Sequence, residues 1–387
     1  MVHLFKTKNM KKILITGGAG FIGANLALRL IEKGYSVRVL DCLSEQIHGA
    51  NPEHDSYLYG LINGKVDFIK GSVTNQEDVA LAIAEQDAII HLAAETGTGQ
   101  SMYEIRKYVD VNCGGTAIVL DLLANSKHQV KKIIVASSRA IYGEGKYLCV
   151  KCGIVYPEVR VDSDLTNGDF ECKCPLCNSS VALNPTSEDS KIHPTSVYGI
   201  TKQNQEQMVL TVGKSLNIPA VAFRYQNVYG PGQSLKNPYT GILSIFSTQI
   251  RNNNSINIFE DGLESRDFVY IDDVVDATIL GLESEFANYE VFNVGADKPI
   301  TVNEVAHSLV REYNSKVEIK VTGGFRIGDI RHNYADLSKI SKLLGFTPKV
   351  LFEEGIARFC EWVREQEICE DNYEVSVKQM KSRGLLK

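Results

Sequence analysis

No stretch of the chain is apolar for the roughly 18 residues that a membrane-spanning helix requires, and none is repeated or of low complexity. A surplus of positive charge is missing too. The 41 Lys and Arg stand against 47 Asp and Glu, a formal net charge of -6, which argues against nucleic-acid binding through a broad basic face and leaves any anionic ligand to locally placed arginines. No secretory leader is visible, because Met1 to Met10 is mixed and the apolar run Ile13 to Ile15 is too short for a signal-peptide core. The expectation is a cytoplasmic protein with neither membrane nor nucleic acid as partner. Cysteine is sparse outside one region: Cys42, Cys113, Cys360 and Cys369 are scattered and read as buried or inert thiols. What the chain does have is length and apolar content, 387 residues of which 44% are hydrophobic, enough for a large core in one or two closely joined domains.

Short β-branched runs alternate with amphipathic segments. Strands are predicted at Lys12 to Thr16, Ser36 to Leu40, Val66 to Ile69, Ala88 to Leu92, Lys132 to Ala136 and Ala220 to Phe223, and helices at Phe21 to Lys33, Gln76 to Glu85 and Gly115 to Ala124. This alternation predicts an α/β fold with a parallel sheet covered on both faces and ligands at the carboxyl ends of the strands. The segments after about residue 226 are shorter and more mixed, which suggests a separate, smaller lobe.

Gly17, Gly20 and Gly23 fall between the first strand and first helix. There the missing side chains permit a tight turn and close approach to a pyrophosphate, and the helix start supplies free N–H groups. Asp41 ends the second strand, where a carboxylate accepts hydrogen bonds from both adenosine ribose hydroxyls and repels a 2'-phosphate, favouring NAD over NADP. The competing reading makes these simple turn residues.

Tyr198 and Lys202 lie four apart, and on a helix opening after Pro194 they share one face. A nearby cation favours the phenolate of a tyrosine that otherwise titrates near 10. Ser137 and Ser138 end the strand that starts at Lys132, within reach of the same substrate oxygen.

In these motifs the chain resembles the extended short-chain dehydrogenase/reductase superfamily in its nucleotide-sugar epimerase and dehydratase branch. The matching stretches are Thr16 to Gly23 (TGGAGFIG), His91 to Ala94 (HLAA), Ser137 to Gly143 (SSRAIYG), Tyr198 to Lys202, Arg224 to Pro231 (RYQNVYGP) and Arg266 to Asp273 (RDFVYIDD). The resemblance implies a Rossmann-type doubly wound sheet, with residues 1–225 as the NAD-binding domain, 226–387 as the substrate-binding lobe, and a homodimer. It selects Ser138, Tyr198 and Lys202 as the catalytic set. It also implies cofactor contacts from Phe21, Ile22, Ser72 and Ala93 beside the glycines and Asp41, although many relatives carry Gly-Asp where this chain has Gly71-Ser72. Dehydratases of the family follow the active hydroxyl with Asp-Glu; Arg139 and Ala140 stand there instead, which disfavours dehydration.

Cys149 and Cys152, then Cys174 and Cys177, form two C-x-x-C knuckles about 20 residues apart, the spacing of a closed four-thiolate zinc site. Cys172 is a possible substitute for one of them. A closed site leaves no position for water, so the zinc would be structural and would organise the insertion 145–187 at the rim of the substrate pocket. Such an insertion is similar to those of the dTDP-L-rhamnose 4-epimerase group, as are Gln233 to Gly241 (QSLKNPYTG) and Arg326 to Asp336 (RIGDIRHNYAD). Arg266 and Arg326 match diphosphate-binding positions, and Asn227 a phosphate or sugar contact. Arg331 is a further candidate, and Thr96 and Thr98 are candidate sugar contacts, whereas His91 reads as a packed strand histidine. The implied activity is NAD-dependent 4-epimerisation of a nucleotide-diphosphate 6-deoxysugar, dTDP-L-rhamnose to dTDP-6-deoxy-L-talose, through a 4-keto intermediate. A UDP-hexose 4-epimerase, a nucleotide-sugar reductase and a non-catalytic NAD-sensing protein remain as alternatives.

Overall fold

The computed structural model describes residues 10–237, 241–371 and 373–387. Met1 to Asn9, and Pro238 to Thr240 within the QSLKNPYTG run, lie outside the described residues. The first predicted strand forms as β1 (Lys12–Thr16), followed by α1 (Phe21–Glu32), β2 (Ser36–Asp41), β3 (Asp67–Lys70), β4 (Ala88–His91) and β5 (Lys132–Ser138). β1 is flanked in parallel register by β2 and β4, with Ile13 opposite both Val37 and Ala88. The complete sheet has seven strands in the order Glu290–Val294, Ala220–Tyr225, β5, β4, β1, β2, β3. All of its pairings are parallel. The order reverses at β1, so the carboxyl ends of β1 and β4 bound the crevice in which such sheets hold ligands.

Both faces of the sheet are buried. Ile13, Leu14 and Ile15 have no exposed surface, and each contributes roughly 1.5–3 kcal/mol by leaving water. On one face α1 sets Leu26, Ala27 and Leu30 against the sheet. Its outer Arg29 pairs with Asp276 of the helix Ile271–Glu283 at 3.0 Å.

Two features were not legible beforehand. Glu290–Val294 forms an edge strand of the large sheet although it follows residue 226. We propose that labour divides between 1–225 and 226–387, although this strand and the Ile271–Glu283 helix return to the first segment. The second feature is the insertion's own antiparallel sheet, in which Tyr147–Cys149 lies between Gly153–Val155 and Ala182–Leu183. Among the described residues no helix is long and apolar enough to cross a membrane.

Candidate active site

The turn after β1 demands glycine at particular positions. Gly17 has φ +68, and a Cβ there would stand 2.7 Å from the Ala93 amide nitrogen; one on Gly23 would stand 2.5 Å from the Gly17 carbonyl oxygen. Gly20 is looser, at 3.2 Å from the same oxygen. Gly18 was not singled out in the sequence, yet its Cβ would lie 2.7 Å from both methyls of Val39. α1 begins at Phe21 and Ile22 with no side-chain cap from Gly20, which leaves its first amides available for an anion. Asp41 is buried at the end of β2, where its carboxylate accepts from Ala19 N (3.0 Å) and Leu43 N (2.9 Å). Burial raises its pKa, against the pull of those amides and of His48. Acceptor capacity remains on both oxygens for ribose hydroxyls. Ser72 is otherwise engaged, its amide donating to Asp78 (2.8 Å) and its hydroxyl meeting Thr74 (2.8 Å). These close backbone approaches and the carboxylate one strand over fit a dinucleotide.

Beneath this turn runs a buried polar chain. His91 at the end of β4 meets Thr16 Oγ1 (2.7 Å) through Nδ1 and Thr116 Oγ1 (2.9 Å) through Nε2. Burial lowers its pKa to about 3, so it is a neutral packing group. Gln205 donates to Thr116 (2.8 Å) and accepts from Lys202 Nζ (2.8 Å). Lys202 is itself buried, and its pKa falls to about 7 by desolvation. Its ammonium is thus turned to Gln205, where the sequence suggested that it also tunes the Tyr198 phenol. Asn112, another residue the sequence reading passed over, donates to Thr201 (2.9 Å) and the Glu95 carbonyl (3.1 Å), tying the loop after β4 to the Tyr198 helix.

Tyr198 stands in the first turn of the helix Val197–Ser215, whose cap is Ser196, the hydroxyl accepting from Gly199 N at 3.1 Å. Gly199 decides where that helix sits: its Cβ would be 2.6 Å from the Ala140 carbonyl oxygen, so the helix start rests directly on the turn Arg139–Tyr142 that follows β5. This brings Ser138 and Tyr198 together. The Tyr198 amide donates to Ser101 Oγ (3.0 Å), and its ring meets Tyr108 edge-on with centroids 6.5 Å apart. Burial pushes the phenol above its ordinary value, while the Ser138 hydroxyl and the Arg139 charge pull it back. Thr96 and Thr98 are exposed on the neighbouring loop, which is held by Tyr108 donating to the Thr96 carbonyl (2.5 Å) and Ser101 to that of Thr98 (2.6 Å). Buried polar atoms without a hydrogen-bonding partner gather nearby: Ser137 Oγ, both amide atoms of Gln226, and Asn227 Oδ1. Gln226 adjoins Asn227 in the RYQNVYGP motif and had no separate signal.

The loop that carries Arg326 and Asp329 adjoins the start of the Tyr198 helix, Thr195 donating to the Gly328 carbonyl (3.2 Å). Arg266 is buried, and its two Nη groups hold this loop through the carbonyls of Ile330 and Arg331 and through Asp329 Oδ1 (3.2 Å), with a further bond to the carbonyl of the preceding Ser265. Only its Nε is left to offer. Arg326 is more exposed and pairs with Asp329 at 2.7 Å. The expectation for Arg331 is corrected here. It is fully buried, and its donors are spent on Glu171 (2.6 and 2.9 Å), Glu260 (3.0 Å) and Asp261 (2.7 and 2.8 Å), so none remains for a diphosphate.

Those contacts join the cysteine insertion to the same loop. Arg160 of the insertion donates to both oxygens of Glu260 (2.8 Å each) and to the Asp329 carbonyl (2.9 Å), and Leu165 and Phe170 pack with Phe325. Within the insertion the Sγ atoms of Cys149, Cys152, Cys174 and Cys177 all lie within 4.8 Å of one another. Tetrahedral Zn–S bonds of about 2.3 Å place sulfurs roughly 3.8 Å apart, so the four thiols fit such an ion. Cys172 is outside this group, buried beside Tyr147 and Glu144.

Comparison with known proteins agrees with this architecture. The model of the family described as "NAD dependent epimerase/dehydratase family" matches residues 13–152 and 177–295, which leaves out most of the cysteine insertion. A dTDP-L-rhamnose 4-epimerase of Burkholderia thailandensis is 37% identical over 359 residues, 92% of this chain and 96% of that protein. A putative UDP-glucose 4-epimerase of Methanocaldococcus jannaschii is 30% identical over 91% of this chain and 98% of its own. Among solved structures, the UDP-glucose 4-epimerase of Thermotoga maritima with UDP-glucose superposes with TM-score 0.74 at 30% identity, covering 92% of this chain and 99% of that one. The UDP-glucuronic acid 4-epimerase of Bacillus cereus, with UDP-glucuronic acid and NAD, gives TM-score 0.74 at 26% identity over the same shares. A seven-stranded doubly wound sheet with a glycine-rich turn after its first strand, and matches spanning nine-tenths of the chain, identify it as an enzyme of the NAD-dependent epimerase/dehydratase family.

Proposed function

We propose that the protein is a 4-epimerase of a nucleotide-diphosphate 6-deoxysugar, interconverting dTDP-L-rhamnose and dTDP-6-deoxy-L-talose. The observation that carries the reading is the meeting of Ser138 and Tyr198 at the carboxyl ends of the sheet, beside the glycine turn. The choice of sugar rests on the similarity to the Burkholderia enzyme. Gly17, Gly20, Phe21, Ile22, Gly23, Asp41, Ser72 and Ala93 would hold NAD, with Tyr198 and Lys202 at its nicotinamide end. When bound, NAD would supply a reversible hydride acceptor for sugar C4. Tyr198, as phenolate, takes the O4 proton while the Ser138 hydroxyl orients O4. The 4-keto sugar then turns in the pocket and presents its other face, and Tyr198 returns the proton. No net redox change results. Thr96, Thr98 and Asn227 would contact the sugar, and Arg266 through Nε together with Arg326 the diphosphate. Zinc on Cys149, Cys152, Cys174 and Cys177 would be structural, because four thiolates leave no open position. We further propose a homodimer formed through the helices flanking Tyr198.

The test is to incubate the purified protein with a panel of dTDP- and UDP-sugars and resolve the epimers by NMR. Accumulation of the C4 epimer of dTDP-L-rhamnose without NADH release supports the proposal. Turnover confined to UDP-hexoses would favour the second reading, to which the UDP-sugar complexes of the structural relatives lend weight. Stoichiometric NADH formation would indicate a reductase, and ligand binding without any turnover would indicate an NAD sensor.

A further inference from the structure

Arg139 stands directly after Ser138, where dehydratases of the family carry an acid. Its turn is fixed on two sides. Ala140 N donates to Ser138 Oγ at 3.1 Å, and the start of the Tyr198 helix rests on the Ala140 carbonyl at Gly199. Arg139 is thus held directly beside the Ser138–Tyr198 pair, and it is partly buried there.

The guanidiniums around it are committed elsewhere. Arg160 is paired with Glu260, Arg331 with Glu171 and Asp261, and Arg266 and Arg326 share Asp329. Arg139 has neither a hydrogen bond nor an ion pair among the described residues, while the like charge of Arg266 acts on it along with Asp329, Tyr198 and Glu144. Asp329 in turn is held far below the usual carboxylate range by Arg326, Arg266, Arg160 and Arg139 together. One carboxylate thus serves several cations, and the guanidinium closest in sequence to the reacting centre has no anion of its own. Withdrawing an unpaired charge from water is costly, and a neutral hydroxyl does not compensate it as an anion does.

We propose that Arg139 is a substrate-binding residue that donates to the sugar-side phosphate of the nucleotide sugar, acting beside Arg266 Nε and Arg326. The proposal rests on the nucleotide-sugar reading of the site. It assigns Arg139 the task of setting the depth at which the sugar sits against Ser138 and Tyr198.

The experiment measures binding of dTDP, UDP and thymidine to the NAD-loaded protein by calorimetry, in the parent, Arg139→Gln and Arg139→Lys. A charge-assisted hydrogen bond of ordinary strength predicts dTDP affinity roughly 10- to 100-fold weaker in Arg139→Gln. Arg139→Lys, which keeps the charge but loses the fork, should fall between, with thymidine and NAD binding unchanged in both. In turnover, KM for the nucleotide sugar rises more than kcat falls. If Arg139→Gln fails to fold, the Lys variant carries the test, and dTDP affinity equal to the parent's overturns the proposal. So does a loss confined to nucleotide sugars with dTDP unaffected, which places the contact on the sugar. A parent that binds neither dTDP nor UDP overturns the nucleotide-sugar reading itself and this proposal with it.

Discussion

Asp41 offers the sharpest test of the cofactor site. Its carboxylate is held by the amides of Ala19 and Leu43 at 3.0 and 2.9 Å, so it cannot swing away from a ligand on the adjacent glycine turn. A 2'-phosphate placed about 5 Å from it meets a repulsion of roughly 3 kcal/mol per unit charge at an effective dielectric near 20. NAD should therefore bind at least ~100-fold more tightly than NADP. Asp41→Asn removes the charge, and the preference should shrink by more than tenfold. The same change leaves one of the two amides facing an NH2 group, which costs about 1–3 kcal/mol of stability, so a fall in Tm should accompany it. The sign of the pH effect follows from burial, which raises the Asp41 pKa. As pH falls the carboxyl neutralises sooner than a free one, and discrimination against NADP should weaken in the parent but stay flat in Asp41→Asn. The assay is calorimetric titration of both dinucleotides into cofactor-stripped protein at two pH values. Equal affinities in the parent, or an unchanged ratio in the variant, would refute the reasoning.

Three further outcomes are expected. Tyr198→Phe should lose on the order of 10²- to 10⁴-fold in kcat while still binding NAD and nucleotide sugar, and activity within tenfold of the parent would sink its role as base. Lys202, lowered to about 7 by burial, is charged more readily in the unfolded chain. The unfolded state then holds the extra proton between about pH 7 and 10.5, so cofactor-free protein should gain stability as pH rises through that window, with the full penalty below it, at ~1.4 kcal/mol per pH unit. Lys202→Met should flatten that dependence and abolish turnover; denaturant melts at pH 7 and 9 that match in the parent would contradict this. Cys174→Ser should lower zinc content from one ion per chain and raise the KM for nucleotide sugar more than it disturbs NAD binding. Elemental analysis checks it, and a zinc-free protein with full activity and an ordered insertion would refute the structural-zinc proposal.

Local chemistry was legible in the sequence because its physical cause is local. Gly17 and Gly23 sit where a strand must turn into a helix within a few residues, Asp41 ends the next strand, and the two C-x-x-C knuckles announce by spacing alone that four thiols can converge. The β-branched runs marked six of the seven strands, most plainly the central β1, β4 and β5, since a strand buried on both faces is apolar throughout. The seventh, Glu290–Val294, is a half-buried edge strand with polar positions and carries no such mark. Tertiary structure alone decided the rest. Gly18 and Gly199 are required because Val39 and Ala140 occupy the space their side chains would fill. Lys202 turns to Gln205, which shares a buried chain with His91 and Thr116. Arg331 looked like a phosphate ligand in its motif but is consumed by carboxylates 70 and 160 positions away. Whether an arginine is a strut or a ligand depends on which acids the fold brings beside it, and those partners come from segments whose proximity no local pattern encodes.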